Sequence, residues 1–353
     1  MDRLSDYDYF LPESAIAQTP LADRAASRLL VLSRETGRVE HRTFRDVVEI
    51  LEPGDLLVLN DTRVTALRLF GNKLSLRTSP PSPLSTGVER GDLGAKVEAL
   101  LLREESPGIY TALLKPGKRL RPGTRIEFEG GLVAQVLDSD DDGVRRIQFE
   151  GAAEPDIEKV GETPIPPYIH TRLETPERYQ TVYASAPGSA AAPTAGLHFT
   201  EDILTALEAK GVKVAKVTLD VGIDTFRPVQ NEDLTEHRMH GERCAISPEA
   251  AEAVTRCHGR IIAVGTTAVR TLESFATGNR SVDPGEKTTS IFIRPGYPFQ
   301  VIDGMFTNFH MPRTTMLMMI SALASRDSVF AAYEEALNEG YRFLSFGDSM
   351  LIL

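Results

Sequence analysis

The feature that most constrains the fold is a change of texture in the middle of the chain. From about Gly71 to Gly151, short strand-like runs ("KVEALLL", "IYTALL", "RIEFE", "LVAQVL", "RRIQFE") succeed one another across Gly, Pro and Asp turns with no helical period. Strands so closely spaced must cover their own edges, which predicts a small closed antiparallel β-barrel. On either side of it, apolar strands alternate with helices. "DLLVL", "VKVAKVTLDV", "RIIAV" and "YRFLSF" read as strands, and "AVRTLESF" and "SVFAAYEEALNEG" as helices, the last capped by Ser328 and stopped by Gly340. The predicted architecture is α/β plus all-β. A mixed α/β domain built from both ends of the chain, residues 1–70 and 152–353, is interrupted by an inserted barrel domain, residues 71–151.

Local signals refine this picture. Residues 27–44 read as a hairpin turning at Thr36 and Gly37, and Phe44, Val47, Val48 and Leu51 then recur at helical spacing. In "PTAGLHFTEDIL", Thr200 suits an N-cap, Glu201 and Asp202 suit the first turn, and Gly211 suits the end of a helix. That places His198 on a bend just before a helix N-terminus.

The 353 residues are 41% hydrophobic and 25% charged, an ordinary globular balance. Cys244 and Cys257 make no disulfide framework. "MDRLSDYDYF" lacks the apolar core of a signal peptide, and "MLMMISALA" falls far short of the ~20 residues that span a bilayer. A cytoplasmic protein with no membrane contact and no obligate protein partner is expected. A net charge of −11 argues at first against a nucleic-acid partner. Yet residues 71–153 carry twelve basic and twelve acidic side chains, so the whole excess of acid lies elsewhere. Within that neutral segment, "KPGKRLRPGTR" gathers Lys115, Lys118, Arg119, Arg121 and Arg125 without an acid. Such a run is either a solvated turn or an edge for phosphates.

Several chemistries lack their motifs. No G-x-G-x-x-G follows a strand, and neither a P-loop nor H-E-x-x-H is present. "DSDDDG", Asp138–Gly143, starts like a calcium loop but has Phe149 where the bidentate Glu belongs. His240, Cys244, Cys257 and His258 fit no zinc spacing, so no metal is expected.

Four polar clusters sit at strand ends or helix starts, where α/β proteins place ligands. "NDTR" contributes Asn60, Asp61, Thr62 and Arg63. "YASAPGSAAAPTAGLHF" offers small residues, with Thr194 and Gly196 beside His198. "VGTTAVRTLES" opens a helix at Thr266 and Thr267, with Arg270 one turn on. "TNFHMPRTTM" places Asn308, His310 and Arg313 before a Thr-capped helix.

In order, these strings resemble the S-adenosylmethionine:tRNA ribosyltransferase-isomerase family of queuosine biosynthesis. The resemblance runs from "DYDYFLPESAIAQTP" to "YRFLSFGDSMLIL" and is weakest in the barrel; strings such as "PTAGLHF" and "TNFHMP", in that order, are highly specific. The chain departs from the family pattern at Asp224, where Gly is usual, at Arg313, where Lys is usual, at "MHGERCA", and in a longer loop from Pro80 to Gly94.

The resemblance implies an enzyme that consumes S-adenosylmethionine as ribosyl donor and needs no separate cofactor. The acceptor would be tRNA bearing 7-aminomethyl-7-deazaguanine at the wobble position. Epoxyqueuosine-tRNA forms, and adenine and methionine leave. Such chemistry needs a base with a pKa near neutrality for the acidified 5′ carbon and an acid for departing adenine. His198 and His310 are the expected pair, with His240 third. The Thr266–Thr267 helix start and Arg270 would hold the methionine carboxylate, and Asp61 a ribose hydroxyl. Two rivals stand beside this reading: a tRNA methyltransferase using the same donor, whose glycine-rich loop is missing, and a non-catalytic RNA-binding protein, for which the polar strand ends are too many.

Overall fold

The computed structural model describes residues 3–74, 93–139, 143–151, 154–222 and 231–353. The loop from Pro80 onward, the middle of "DSDDDG" and Asp224 lie outside the described residues or largely so. The chain divides into two compact units, Met1–Arg63 with Ile165–Leu353, and Val64–Pro164.

The first unit is built on a nine-stranded mixed sheet. Its order is Gly285–Thr289, Glu242–Ile246, Lys213–Leu219, Leu56–Asn60, Ile261–Val264, Gly304–Asn308, Ser349–Ile352, Arg28–Leu32 and Val39–Thr43. The four strands Lys213–Leu219, Leu56–Asn60, Ile261–Val264 and Gly304–Asn308 run parallel, so their carboxyl ends share one edge of the sheet. Burial on both faces explains the apolar runs 56–59 and 261–264 in the two central strands of that set. Leu56, Val58, Ile261 and Ala263 enter one core with the helices Gly265–Ser274 and Thr315–Ala324. Leu57, Leu59, Ile262 and Val264 enter the opposite core with Ile203 and Leu207 of the helix Glu201–Lys210. Thr200 caps that helix, accepting from Ile203 N at 3.3 Å, and Gly211 ends it at φ 98°.

Two local expectations are corrected. The helix Arg326–Asn338 is capped by Ser325, whose hydroxyl accepts from Ser328 N at 3.2 Å, so Ser328 is the group being capped. "YRFLSF" is not a strand. Leu344 adopts φ 69°, which breaks an extended run, and Gly347 turns so tightly that a Cβ there would meet the Arg342 carbonyl at 2.4 Å. Asp348 accepts from Arg28 N at 2.9 Å and Arg342 N at 2.8 Å, and the strand starts only at Ser349.

The second unit is a closed six-stranded antiparallel barrel. It contains the strand Leu67–Leu74 whole and the helix Glu154–Val160, whose Ile157 and Val160 pack on the barrel core. A helix just after the last barrel strand reads in sequence as the return of strand–helix alternation. Its apolar face belongs to the barrel instead. Among the described residues no helix is long and apolar enough to cross a membrane.

Candidate active site

At the carboxyl edge of the parallel strands lies a cavity of about 290 Å³ within the first unit. Ligands of open α/β sheets bind at this edge because loops and helix N-termini converge there. Thr307, Asn308 and His310 reach the cavity from the end of one strand, and Gly265, Thr266 and Thr267 from the end of its neighbour. Gly265 takes φ 87°, turning the strand straight into the helix Gly265–Ser274. Val264 at the cap position supplies no side-chain acceptor, leaving first-turn N–H groups for a ligand. Thr194 and the small residues Ala191, Ala192 and Ala195 form another wall, and among the described residues Arg313 is the only Lys, Arg, Asp or Glu in the lining.

His310 is clamped by its backbone. The Tyr9 hydroxyl donates to its carbonyl, and its N–H donates to Tyr333 Oη at 2.9 Å. Its Nε2 lies 2.6 Å from Thr307 Oγ1. Burial lowers its pKa to about 3, so the imidazole is neutral at physiological pH.

His198 sits elsewhere. It lines a small hollow of about 30 Å³ with Arg24, Arg178 and Phe346, behind the side chain of Asn308. Its Nδ1 lies 2.8 Å from Ser27 Oγ and its Nε2 3.4 Å from Asn308 Nδ2. Burial, reinforced by Arg24 and Arg342, lowers its pKa to about 3. The two histidines are thus joined through the Thr307–Asn308 strand end and do not face one cavity. His240 is exposed and outside the cavity lining.

The family model described as "Queuosine biosynthesis protein" matches residues 4–352. The chain belongs to the queuosine biosynthesis protein family. It is similar to the S-adenosylmethionine:tRNA ribosyltransferase-isomerases of Symbiobacterium thermophilum, 51% identical over 99% of this chain and all of that one, and of Clostridioides difficile, 47% identical over 98% of each. Among solved structures it is similar to the S-adenosylmethionine tRNA ribosyltransferase of Thermotoga maritima, with 36% identity, a TM-score of 0.54, and coverage of 99% of this chain and 100% of that one.

In this member of the queuosine biosynthesis family, Thr194, Thr266, Thr267, Asn308, His310 and Arg313 share the cavity. Asn60, Asp61, Thr62, Arg63 and Arg270 have internal partners instead. Asn60 bonds Leu219 through both ends of its amide, at 3.1 and 3.0 Å. Asp61 accepts from Thr218 Oγ1 at 2.8 Å and Ser185 Oγ at 3.1 Å. Thr62 Oγ1 lies 3.4 Å from Asp220, and Arg63 makes a two-point pair with Glu177 at 3.0 and 2.9 Å. Arg270 is buried against Glu242, and desolvation lowers its pKa to about 10. Tyr168 and Ser345, joined at 2.7 Å, also line the cavity, and no polar cluster in the sequence had marked them. Tyr9 and Tyr333 were missed as well, being far from His310 in sequence. In the barrel, Lys115 lies 3.9 Å from Glu98 and Arg125 is paired with Glu150 at 2.8 and 2.6 Å. Arg119 and Arg121 are exposed, and the Lys118 side chain lies outside the described residues. Among the described residues no group of three or more His, Cys, Asp or Glu side chains could hold a metal ion.

Gly196 is fixed by close packing. A Cβ there would stand 1.9 Å from Tyr183 Oη and 2.9 Å from Thr181 Cγ2. Gly196→Ala should therefore destabilise by roughly 1–3 kcal/mol through overpacking, with part regained in a Tyr183→Phe background. Urea unfolding of the single and double variants checks this; strictly additive losses would mean that the clash is relieved in some other way.

The two buried histidines also set a pH dependence. Their folded pKa values lie below the unfolded value of about 6.5, so below that pH the unfolded chain binds protons that the folded one refuses. Each therefore removes about 1.4 kcal/mol of stability per pH unit as pH falls from 6.5 towards 3. Between pH 7 and 5, His310→Gln should lose less stability than the parent protein; equal losses would show that His310 is not held neutral.

Proposed function

We propose that the chain transfers and isomerises the ribosyl group of S-adenosylmethionine onto tRNA carrying 7-aminomethyl-7-deazaguanine, giving epoxyqueuosine-tRNA, adenine and methionine. The observation that carries this is the cavity at the strand ends, in a chain whose relatives over nearly full length are named S-adenosylmethionine:tRNA ribosyltransferase-isomerase.

The cavity fits the donor's chemistry. Its walls are largely apolar, from Pro167, Pro193, Phe309 and Leu344, as a purine requires. The helix start at Thr266 and Thr267, with Arg313, offers N–H donors and a cation to the methionine carboxylate. His310 is the acid–base group. The sulfonium acidifies the 5′ carbon, and the neutral imidazole takes a proton from it. Burial disfavours the imidazolium, so the free imidazole is a weak base that gains the proton only as charge develops on the carbon. The imidazolium once formed is a strong acid that passes the proton to departing adenine. One histidine thus serves as base and then as acid.

The barrel's cations at Lys115–Arg125 contact tRNA phosphates, with Arg119 and Arg121 contributing most because no carboxylate among the described residues pairs with them. Nucleoside mass spectrometry of substrate tRNA incubated with the protein and S-adenosylmethionine tests the proposal. A gain matching the epoxycyclopentanediol supports it; a gain of one methyl group overturns it.

A further inference from the structure

His198 makes an unbroken hydrogen-bond chain whose polarity can be read atom by atom. Asn308 faces Leu344 O at 3.4 Å on one side and Thr194 Oγ1 at 2.8 Å on the other. A carbonyl oxygen only accepts, so the Asn308 NH₂ lies towards Leu344 and its Oδ1 receives the Thr194 hydroxyl. The same NH₂ points at His198 Nε2, which must then carry a lone pair. The ring proton is left on Nδ1 and donates to Ser27 Oγ at 2.8 Å, and the Ser27 hydroxyl donates in turn to Arg24 O at 3.3 Å. Every member of the chain has one consistent role, and the Asn308 NH₂ is shared between the Leu344 carbonyl and the lone pair at Nε2.

We infer that His198 is a positioning residue, which locks the Asn308 carboxamide so that Asn308 Oδ1 and Thr194 Oγ1 present acceptor lone pairs to the cavity for an N–H donor on the substrate. Both Asn308 and Thr194 line the cavity and His198 does not. With Nε2 protonated, its N–H would oppose the Asn308 NH₂ and drive the amide, against its bond to Leu344 O, to turn its donors inward. The cavity wall would then repel an N–H donor.

The chemical class is an exocyclic or ring amine of a heterocycle. Under the proposed function it comes either from the adenine of S-adenosylmethionine or from the deazaguanine of the tRNA, so the identity of the donor group rests on that reading. The polarity of the chain does not.

The test has two parts. Nitrogen NMR of histidine-labelled protein, with His198 assigned through His198→Gln, should show a neutral ring protonated at Nδ1 from pH 5 to 8. In Asn308→Asp an oxygen replaces the NH₂ opposite Nε2, and His198 should take up a proton at markedly higher pH than in the parent. A proton on Nε2 in the parent, or an unchanged titration in Asn308→Asp, overturns the inference whatever the enzyme's activity.

The second part measures binding of S-adenosylmethionine against its analogue with hydrogen in place of the 6-amino group, and of the free tRNA base against its 2-deamino analogue. One pair should differ by about 10- to 100-fold, the range for leaving a buried acceptor unpaired. The pair that differs identifies the source. His198→Ala should abolish the difference and His198→Gln, which can return an acceptor near the Nε2 position, should restore it. Neither pair differing, or His198→Gln behaving as His198→Ala while one limb of the pH–rate profile disappears, would overturn the positioning role.

Discussion

Replacing His310 by alanine is expected to lower turnover by about 10²-fold or more, the usual scale for losing an acid–base group. His310 is the histidine in the cavity, and its backbone is held on both sides by the hydroxyls of Tyr9 and Tyr333. The loss should fall on turnover more than on donor affinity, because the role proposed for the imidazole is to move a proton. Burial holds the free enzyme's imidazole neutral down to a pKa of about 3, so the acid limb of kcat/KM attributable to His310 should lie below pH 5. Tyr9→Phe, which removes only the bond to the His310 carbonyl, should cost less than His310→Ala. Near-normal turnover in His310→Ala would make that side chain a packing residue and remove the proposed proton path.

Removing the charges of Lys115, Lys118, Arg119 and Arg121 together is expected to weaken tRNA binding and flatten its salt dependence. Each phosphate contact contributes roughly 0.7–0.9 to the slope of log affinity against log salt, so losing four would reduce the slope by about 3. Arg125 is left in place because Glu150 already neutralises it. The acidic net charge of −11 makes the choice of surface sharp, since most of the molecule repels a polyanion. Donor affinity should stay the same, because the cavity belongs to the other unit. Titrations with labelled tRNA at several salt concentrations measure this. An unaltered slope would move the tRNA surface elsewhere, with Arg294 and Arg313 the next candidates.

What the sequence makes legible is whatever local chemistry decides. The run Leu56–Asn60 had to be a strand buried on both faces, and alternate residues do enter opposite cores. Thr200 and Gly211 bracket their helix as their side chains dictate. The barrel follows from strand spacing alone. Other features depend on contacts made at long range. A serine three residues before the expected cap takes its place, and Leu344 leaves the extended region under tertiary constraint. The clusters at strand ends illustrate the same limit. "NDTR" and "TNFH" both follow buried strands, yet the first spends its polar groups on Leu219, Thr218, Ser185 and Glu177, while the second opens onto the cavity. His198 and His310 look alike in sequence. His310 lines the cavity, whereas His198 lies behind the Asn308 side chain that forms its wall.

The central claim is that the ribosyl carbons of the donor, and not its methyl group, end up on tRNA. It is tested most directly by supplying S-adenosylmethionine labelled in the ribose in one reaction and in the methyl group in another. The tRNA should acquire the ribose label alone, with adenine and methyl-labelled methionine released in equal amounts. Methyl label on the tRNA, or ribose label that never leaves the small-molecule fraction, would contradict it.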